Sequence, residues 1–204
     1  MKRLFVALVV LLFAVPALSG TITIGKKKGG GACTPSASGT VIVGSSTEAT
    51  GDDVSIASNQ ELFFDTAYSA TWAGDCTTET VGTIEVYMKG WEGGDCKAII
   101  GTSTGNLLTN GVSNSASVEY EDNASWHSFS MGTPPTITKS TAYRIGVVCS
   151  KTPDGTIALF PAATTGTSEI GSDTTGTYTT PTSMDTHDAV WDASSTIGGF
   201  RGKK

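Results

Sequence analysis

Alternation between apolar and polar residues is the main pattern in this chain, and a period of two predicts β-strands. The segment TIEVYMKGW shows it clearly: one face would carry Ile84, Val86 and Met88, and the other would carry Glu85, Tyr87 and Lys89. Further segments of this kind are TVIVG, LFFDTAYSATW, CKAIIG, ASVEYE, WHSFSM, TAYRIGVVC and TIALF. No stretch has the 3.6-residue spacing of an amphipathic helix, so the pattern predicts an all-β protein.

Turn-forming residues separate these segments. They are Gly93-Gly94, Asn110-Gly111, Pro134-Pro135 and Pro153-Asp154-Gly155. Many short strands with such connections predict an antiparallel β-sandwich or barrel. From Thr164 to Thr186 the chain is rich in Thr, Ser and Gly, which indicates either an edge strand with a loop or a partly disordered tail.

Residues 1–19 have the organisation of a signal peptide. Lys2 and Arg3 precede an apolar run, Leu4 to Val15, and the small residues Ala17 and Ser19 fit a cleavage site. The apolar run is too short to cross a bilayer permanently, so we expect no membrane span. The pattern predicts a secreted protein, extracellular or periplasmic.

After the signal peptide the chain begins GTITIGKKKGGGAC. We predict a short strand and a basic, glycine-rich linker in residues 20–32, followed by a single β-sandwich domain in residues 33–204. The TITI strand either pairs with the domain's own sheet or adds to an open sheet edge of another copy. The second case predicts a homopolymer, because head-to-tail contacts that do not close give filaments.

Charge is distributed unevenly along the chain. All 19 acidic residues lie between the two basic ends, where the basic residues are only Lys89, Lys97, Lys139, Arg144 and Lys151. Such a body repels phosphate backbones, so we expect no nucleic-acid partner. It suits calcium, cationic partners or the basic tails of another copy, including the C-terminal FRGKK, although a plain solvated acidic surface is the simpler explanation.

Four cysteines in an exported chain predict two disulfides, with three connectivities for Cys33, Cys76, Cys96 and Cys149. Strand parity offers one indication. In CKAIIG and in YRIGVVC the cysteine shares a face with the apolar residues, so Cys96 and Cys149 would both point into a core. This favours a bridge between them across neighbouring strands.

Two segments carry a family resemblance. They are TIEVYMKGWEGGDCKAIIGTSTGNLLTNG, whose second strand is followed by a TG-LL sequence, and ASWHSFSMGTPPTITKSTAYRIGVV, in which a Trp-led strand and a Pro-bearing loop precede a T-x-Y strand start. Together, over about residues 83–149, they resemble a jelly-roll-type β-sandwich module of secreted bacterial and phage-associated proteins. The resemblance implies a jelly-roll-like sandwich and a binding or accessory role, often towards carbohydrate.

We therefore expect a secreted, non-catalytic module for surface or carbohydrate binding and adhesion; the alternative is a subunit of an extracellular filament whose N-terminal strand is exchanged between copies. Aromatic side chains that could stack on sugar rings are Trp72, Trp91, Trp126, Trp191, Tyr87 and Tyr120. Tyr87 is favoured because alternation places it on an exposed face with Glu85 and Lys89. Trp91, on a glycine-rich loop, comes next. We predict Tyr87, Trp91 and Glu85 as ligand-binding residues.

A structural calcium ion is the one cofactor that the sequence suggests. Asp185, Asp188 and Asp192 in MDTHDAVWD could supply the hard oxygen ligands that calcium prefers, and the GDD sequence at residues 51–53 is a second candidate. Unliganded acidic loops are the ordinary alternative for both. Separately, Asn123 begins a glycosylation sequon, which matters only in a host that glycosylates.

Two patterns resemble catalytic motifs, but we expect no enzyme. Gly101 to Gly105 matches G-x-S-x-G, yet that motif needs a following helix, and a hairpin turn fits the sequence better. Glu119 and Glu121 share a face in EYED, yet nothing around them indicates a buried acid of the kind that glycoside hydrolysis requires.

Overall fold

A computed structural model describes residues 32–45, 48, 53–59, 61–64, 67–151, 155–161, 170–173, 177–184, 189–191 and 199–204. Within these ranges the chain has sixteen β-strands and no helix. The strands are β1 (Val41–Gly44), β2 (Asp53–Ala57), β3 (Glu61–Phe64), β4 (Tyr68–Ser69), β5 (Thr78–Thr80), β6 (Thr83–Gly90), β7 (Gly94–Thr102), β8 (Leu107–Val112), β9 (Ala116–Val118), β10 (Ser125–Ser130), β11 (Thr136–Thr138), β12 (Ala142–Ser150), β13 (Thr156–Pro161), β14 (Ile170–Asp173), β15 (Ala189–Trp191) and β16 (Phe200–Lys203).

Fourteen of the sixteen strands form two antiparallel sheets. The first sheet has the order β1-β16-β6-β13-β2, and β10 also pairs with β6. The second has the order β15-β14-β3-β12-β7-β8, with β4 added to β12 and β9 added to β7. Strands β5 and β11 form a separate pair. One hydrophobic cluster joins residues of both sheets, so the prediction of an all-β antiparallel sandwich is confirmed.

The core faces follow the alternation read from the sequence. Ile84, Val86 and Met88 of β6 are fully buried in the cluster between the sheets. The same cluster contains alternate residues of β7 and β12, namely Cys96, Ala98, Ile100, Tyr143, Ile145, Val147 and Cys149. Phe129 of β10 and Phe200 of β16 are the largest of its fully buried side chains. The inward faces predicted for all three central strands are therefore confirmed.

Both predicted disulfides are present. Cys96 and Cys149 are direct cross-strand partners of β7 and β12 and are bonded to each other, which confirms the pairing favoured by strand parity. Cys33 is bonded to Cys76, so the first described residues are tied to the loop before β5. Disulfides are typical of oxidising compartments.

Three local predictions are wrong. Asn110-Gly111 does not separate two strands: Asn110, with a φ of 63°, lies inside β8, where the register with β7 shifts by three residues. The segment LFFDTAYSATW is not one strand, because β3 ends at Phe64 and β4 begins at Tyr68. The ASVEYE strand ends at Val118, so Glu119 and Glu121 lie in a loop. The hairpin turn expected at Gly101 to Gly105 is confirmed, because Gly105 N donates to Thr102 O at 2.9 Å.

Several predictions concern parts of the chain outside the described residues. They include the signal peptide, the N-terminal strand and its linker, and the calcium candidates Asp185, Asp188 and Asp192. In the part of the chain that is described, no helix has the length and apolar character required to cross a bilayer.

Candidate functional site

The polar face of β6 carries one half of an aromatic pair. Trp126 of β10 lies opposite Tyr87 of β6 in the antiparallel register, so both rings project from the outer face of the first sheet. Their centroids are 5.3 Å apart and their planes are tilted by 55°, an arrangement that aromatic rings favour. Both side chains are half-buried. The predicted ligand residue Tyr87 therefore packs against a second aromatic ring.

Arg201 of β16 lies over one ring of this pair, that of Trp126. Its guanidinium carbon lies 3.8 Å from the centroid of the Trp126 ring, which is within cation–π distance. Its Nε also donates to Glu85 Oε2 at 2.5 Å. One arginine thus contacts both an aromatic ring and a carboxylate, and it limits the orientations open to the Trp126 ring.

The Glu85 carboxylate is enclosed by donors from its own chain. Besides Arg201, Lys203 Nζ donates to Oε1 at 2.7 Å and Ser128 Oγ donates to the same oxygen at 3.2 Å. Only 11% of the side chain is exposed, so the prediction that Glu85 lies on an exposed face is wrong. The reason is that β16 and β10 flank β6 and bring these donors beside it. Ligand binding by Glu85 stays a prediction.

The ionisation of Glu85 follows from this enclosure. Burial alone raises the pKa of the carboxyl, but the hydrogen bonds from Lys203 and Arg201, with the charges of both residues, outweigh it and hold the pKa below the usual 4.5. The carboxyl pKa of Glu79, on β5, is also lower than usual. A hydrogen bond from Lys204 and another from the Ser36 backbone lower its pKa.

These contacts also change the expectation for the C-terminal FRGKK sequence. In the strand-exchange alternative, this sequence would meet the acidic body of a neighbouring copy. Instead β16 lies between β1 and β6, and its cations pair within the chain, Arg201 and Lys203 with Glu85 and Lys204 with Glu79. Filament assembly through the N-terminal strand stays a prediction, since that strand lies outside the described residues.

Two large aromatic side chains are exposed where β6 ends. Trp91 is 50% exposed and Tyr120 is 63% exposed, and within the described ranges they are the large hydrophobic residues found at the surface. The backbones that carry them touch, because Glu121 N donates to Gly90 O at 3.1 Å. A hydrogen bond to Asp122 raises the pKa of the Tyr120 hydroxyl. Tyr87, Trp126, Trp91 and Tyr120 are called the aromatic surface below.

The turn that presents Trp91 is held by one acceptor. The backbone N–H groups of Trp91, Glu92 and Gly93 lie 3.0, 3.3 and 3.3 Å from the carbonyl oxygen of Ile157. Gly93 has a φ of 79°, a conformation that favours glycine. The exposed ring is therefore carried by a hydrogen-bonded turn, and the predicted ligand residue Trp91 is available at the surface.

The other aromatic candidates are placed differently. Trp72 is buried, and its Nε1 donates to Cys76 O at 3.0 Å, so this ring belongs to the core. The backbone of Trp191 lies in β15, and its side chain is outside the described part. In the described part of the chain, no group of three or more His, Cys, Asp or Glu side chains could hold a metal ion.

A Ser, His and Glu cluster that the sequence did not suggest lies at the end of β10. His127 Nε2 is 3.3 Å from Glu121 Oε2 and 3.4 Å from Ser125 Oγ, and Ser125 Oγ donates to the same Glu121 oxygen at 3.1 Å. In a catalytic relay, the hydroxyl and the carboxylate contact opposite nitrogens of the ring. Here both contact one nitrogen, so the cluster ties the loop of Tyr120 to β10.

A segment from the Thr-, Ser- and Gly-rich region covers the outer face of the second sheet. Residues 177–184, called the strap below, bury Met184 against Ile99 and Val148, and Tyr178 packs beside them. Met184 N donates to Gly105 O at 2.8 Å. Of the two alternatives for this region, a strand with a loop is the one that the structure supports: β14 is a strand, and residues 177–184 are an irregular segment packed in a second, smaller hydrophobic cluster.

Three charged side chains hold the strap by its backbone. Lys97 Nζ donates to Tyr178 O at 3.1 Å, and Arg144 Nη1 donates to Met184 O at 2.6 Å. The buried Glu61 accepts from Thr182 N at 2.8 Å. The strand positions of these three residues could be predicted from the sequence. Their partners lie far away along the chain, so the packing of the strap could not be predicted.

Comparison of the chain with protein-family models, with curated proteins and with solved structures finds no match. The functional assignment therefore rests on the site itself.

Proposed function

We propose that this protein is a secreted, non-catalytic β-sandwich module that binds polysaccharide or cell-surface carbohydrate through the aromatic surface. The signal-peptide pattern and the two disulfides support export. The resemblance of residues 83–149 to secreted jelly-roll modules supports a binding role. Neither of these arguments selects a face of the molecule, so the location of the site depends on the arrangement of side chains.

The observation that carries the proposal is the exposure of Trp91 and Tyr120 on touching backbones. An aromatic side chain left in water forgoes about 1.5–3 kcal/mol of burial energy, and exposed apolar groups that lie together are typical of binding sites. The apolar C–H faces of a sugar ring pack on aromatic rings, and its hydroxyls need polar partners nearby. Asp122 and Lys89 lie beside Tyr120 and supply such partners.

Tyr87 and Trp126 extend this surface along β6. Tyr87 is four residues before Trp91, and a strand advances about 3.3 Å per residue, so the two positions are about 13 Å apart. The contact with Arg201 limits the orientations of the Trp126 ring before any ligand arrives. Rings that are already ordered lose little entropy on binding, which favours affinity.

Affinity electrophoresis tests the proposal. The purified protein is run through gels containing hydroxyethyl cellulose, glycol chitin, xylan or starch, and we expect at least one polysaccharide to retard it. Trp91→Ala and Tyr120→Ala should each weaken that binding by about tenfold, which corresponds to about 1.4 kcal/mol.

The matched control is Thr133→Ala. Thr133 is an exposed loop residue after β10, at the end of that strand away from Trp91, and its replacement should leave the retardation unchanged. Tyr120→Phe keeps the ring and should retain most of the binding. The proposal fails if no polysaccharide retards the protein, or if both alanine variants are retarded as strongly as the unmodified chain.

A further inference from the structure

An open cleft of about 340 Å³ lies at the same end of the sandwich as Trp91, on the outer side of the second sheet. It is lined by Gly94, Asp95, Ser117, Ser150, Lys151 and Tyr178. Its volume falls within the usual range for small-molecule sites. No motif in the sequence points to it, because its lining comes from β7, β9, β12 and the strap.

A row of polar side chains forms the floor of the cleft. Asp95 of β7 is the register partner of Ser117 on one side and of Ser150 on the other. Directly paired residues project from the same face, so hydroxyl, carboxylate and hydroxyl follow one another at the strand spacing of about 4.8 Å. Asp95 is exposed, and within the described residues its carboxylate has no hydrogen bond or ion pair, so the carboxylate can accept hydrogen bonds from a ligand.

Tyr178 of the strap forms an aromatic wall beside this row. Lys97 Nζ lies 4.3 Å from the ring centroid and donates to the Tyr178 carbonyl, and the Tyr178 hydroxyl donates to Ser115 Oγ. The position of Tyr178 is therefore held by three contacts: a hydrogen bond to its carbonyl, a hydrogen bond from its hydroxyl and a cation over its ring. The cleft thus combines an ordered aromatic ring with acceptors that are already in place.

Two chain segments connect the cleft with the aromatic surface. The turn that begins at Trp91 leads directly into β7, which carries Asp95. In this turn, Glu92 forms an ion pair with Lys151 at 2.6 Å. Ser117 Oγ donates to Glu119 at 2.9 Å, one residue before Tyr120. In residues 91–95 and again in residues 117–120, a residue of the aromatic surface and a residue of the cleft lie only a few positions apart. The two regions therefore meet at this end of the sandwich, and together they are called the rim below.

We infer that this cleft is a second saccharide subsite, so that the ligand is an extended oligosaccharide that passes from the aromatic surface over the end of the sandwich. This inference rests on the proposed function. A row of carboxylate and hydroxyl groups can accept from and donate to the hydroxyls of a sugar, and Tyr178 can contact its apolar edge. Lys97 and Lys151 offset the local carboxylates, which favours a neutral polyhydroxylated ligand over a cationic one.

Chain-length dependence provides the test. Oligosaccharides of two and six units, prepared from whichever gel polysaccharide retards the protein, are titrated by calorimetry. The six-unit ligand should bind at least about tenfold more tightly than the two-unit ligand. Asp95→Ala should remove about tenfold of the six-unit affinity, consistent with the loss of hydrogen bonds to a charged group, and should leave the two-unit affinity unchanged.

Controls separate this inference from the proposed function. Asp95 is exposed, so Asp95→Ala should keep the unfolding midpoint, and Glu48→Gln removes another exposed carboxylate without effect on binding. If Trp91→Ala weakens binding while Asp95→Ala binds the six-unit ligand normally, the aromatic surface stands and the cleft subsite is wrong. If Asp95→Ala weakens binding while Trp91→Ala and Tyr120→Ala do not, both proposals are wrong. If no polysaccharide retards the protein, both are also wrong.

Discussion

Gly90 shows how a single residue determines the aromatic surface. A Cβ atom at this position would overlap the carbonyl oxygen of Glu119, so the backbone that leads to Tyr120 can lie against the end of β6 only because residue 90 has no side chain. Gly90 is not in a left-handed conformation. The requirement for glycine therefore comes from close approach between backbones, as is typical inside strands.

Gly90→Ala should push residues 119–122 away from β6. We expect a loss of about 1–3 kcal/mol in the free energy of unfolding, because overpacked sites strain the backbone, and weaker retardation in polysaccharide gels. Chemical denaturation measures the first effect. Gly82→Ala is the matched control, since a Cβ there meets its nearest neighbour at an ordinary 3.5 Å. Equal stability of the two variants would contradict this account.

At the scale of elements, β16 has two roles in the first sheet. It fills the place between β1 and β6, and it brings Arg201 and Lys203 to Glu85. The carboxyl pKa of Glu85 is lower in the folded chain than its ordinary value of 4.5. The stability that this ionisation contributes is complete above about pH 4.5 and is lost as pH falls through the folded-state pKa.

Glu85→Gln should therefore destabilise the protein at pH 7 by about 1–3 kcal/mol, because Arg201 and Lys203 lose a charged acceptor. Its free energy of unfolding should also fall less steeply than that of the unmodified chain as pH drops below 4.5. Urea unfolding at several pH values checks both effects. Parallel pH profiles for the two proteins would show that Glu85 does not carry the acid sensitivity.

The strap is the other element whose position is decided by distant partners. Met184→Ala should cost about 2–5 kcal/mol, because it leaves a cavity over Ile99 and Val148. Hydrogen exchange should report faster exchange at Met184 N and Thr182 N, whose acceptors are Gly105 and Glu61. Thr180→Ala, an exposed change in the same segment, is the control. Unchanged exchange in the methionine variant would argue against a packed strap.

At the scale of the whole molecule, two disulfides reduce the conformational entropy of the unfolded chain. They join residues 43 and 53 positions apart, and in the chain-entropy model each contributes about 4 kcal/mol. Their surroundings differ, however. Cys96 and Cys149 are fully buried between the sheets, whereas Cys33 is exposed. Cys76 is buried but lies outside the main core cluster. Packing therefore adds more to the entropic effect at the Cys96–Cys149 pair.

Paired alanine substitutions should separate these two contributions. Removal of Cys96 and Cys149 together should cost more than about 4 kcal/mol, because it also empties space in the core. Removal of Cys33 and Cys76 should cost about 4 kcal/mol or less. Guanidinium denaturation of the two double variants provides the comparison. A larger loss for the Cys33 and Cys76 pair would overturn this ranking.

Much of the sandwich could be predicted from the sequence, and less of the candidate site. The inward faces of β6, β7 and β12 follow from alternation, and the Cys96–Cys149 bridge follows from parity, since each depends only on local spacing. Exposure of Trp91 was also predictable, because it follows a strand on a glycine-rich loop. Asn110-Gly111 was expected between two strands, but an Asn-Gly pair with positive φ also fits an irregularity inside one strand.

Local spacing determined which side of its strand each residue faces, because a strand places alternate side chains on opposite faces wherever it lies in the fold. Tertiary structure alone decided what covers each outer face. Glu85 is enclosed by residues 116 and 118 positions further along, and the strap reaches Glu61 across 121 positions. The alternation of apolar and polar residues does not predict such pairings, since they arise only when distant strands become neighbours. The cleft depends on them, and so does the continuity of the rim.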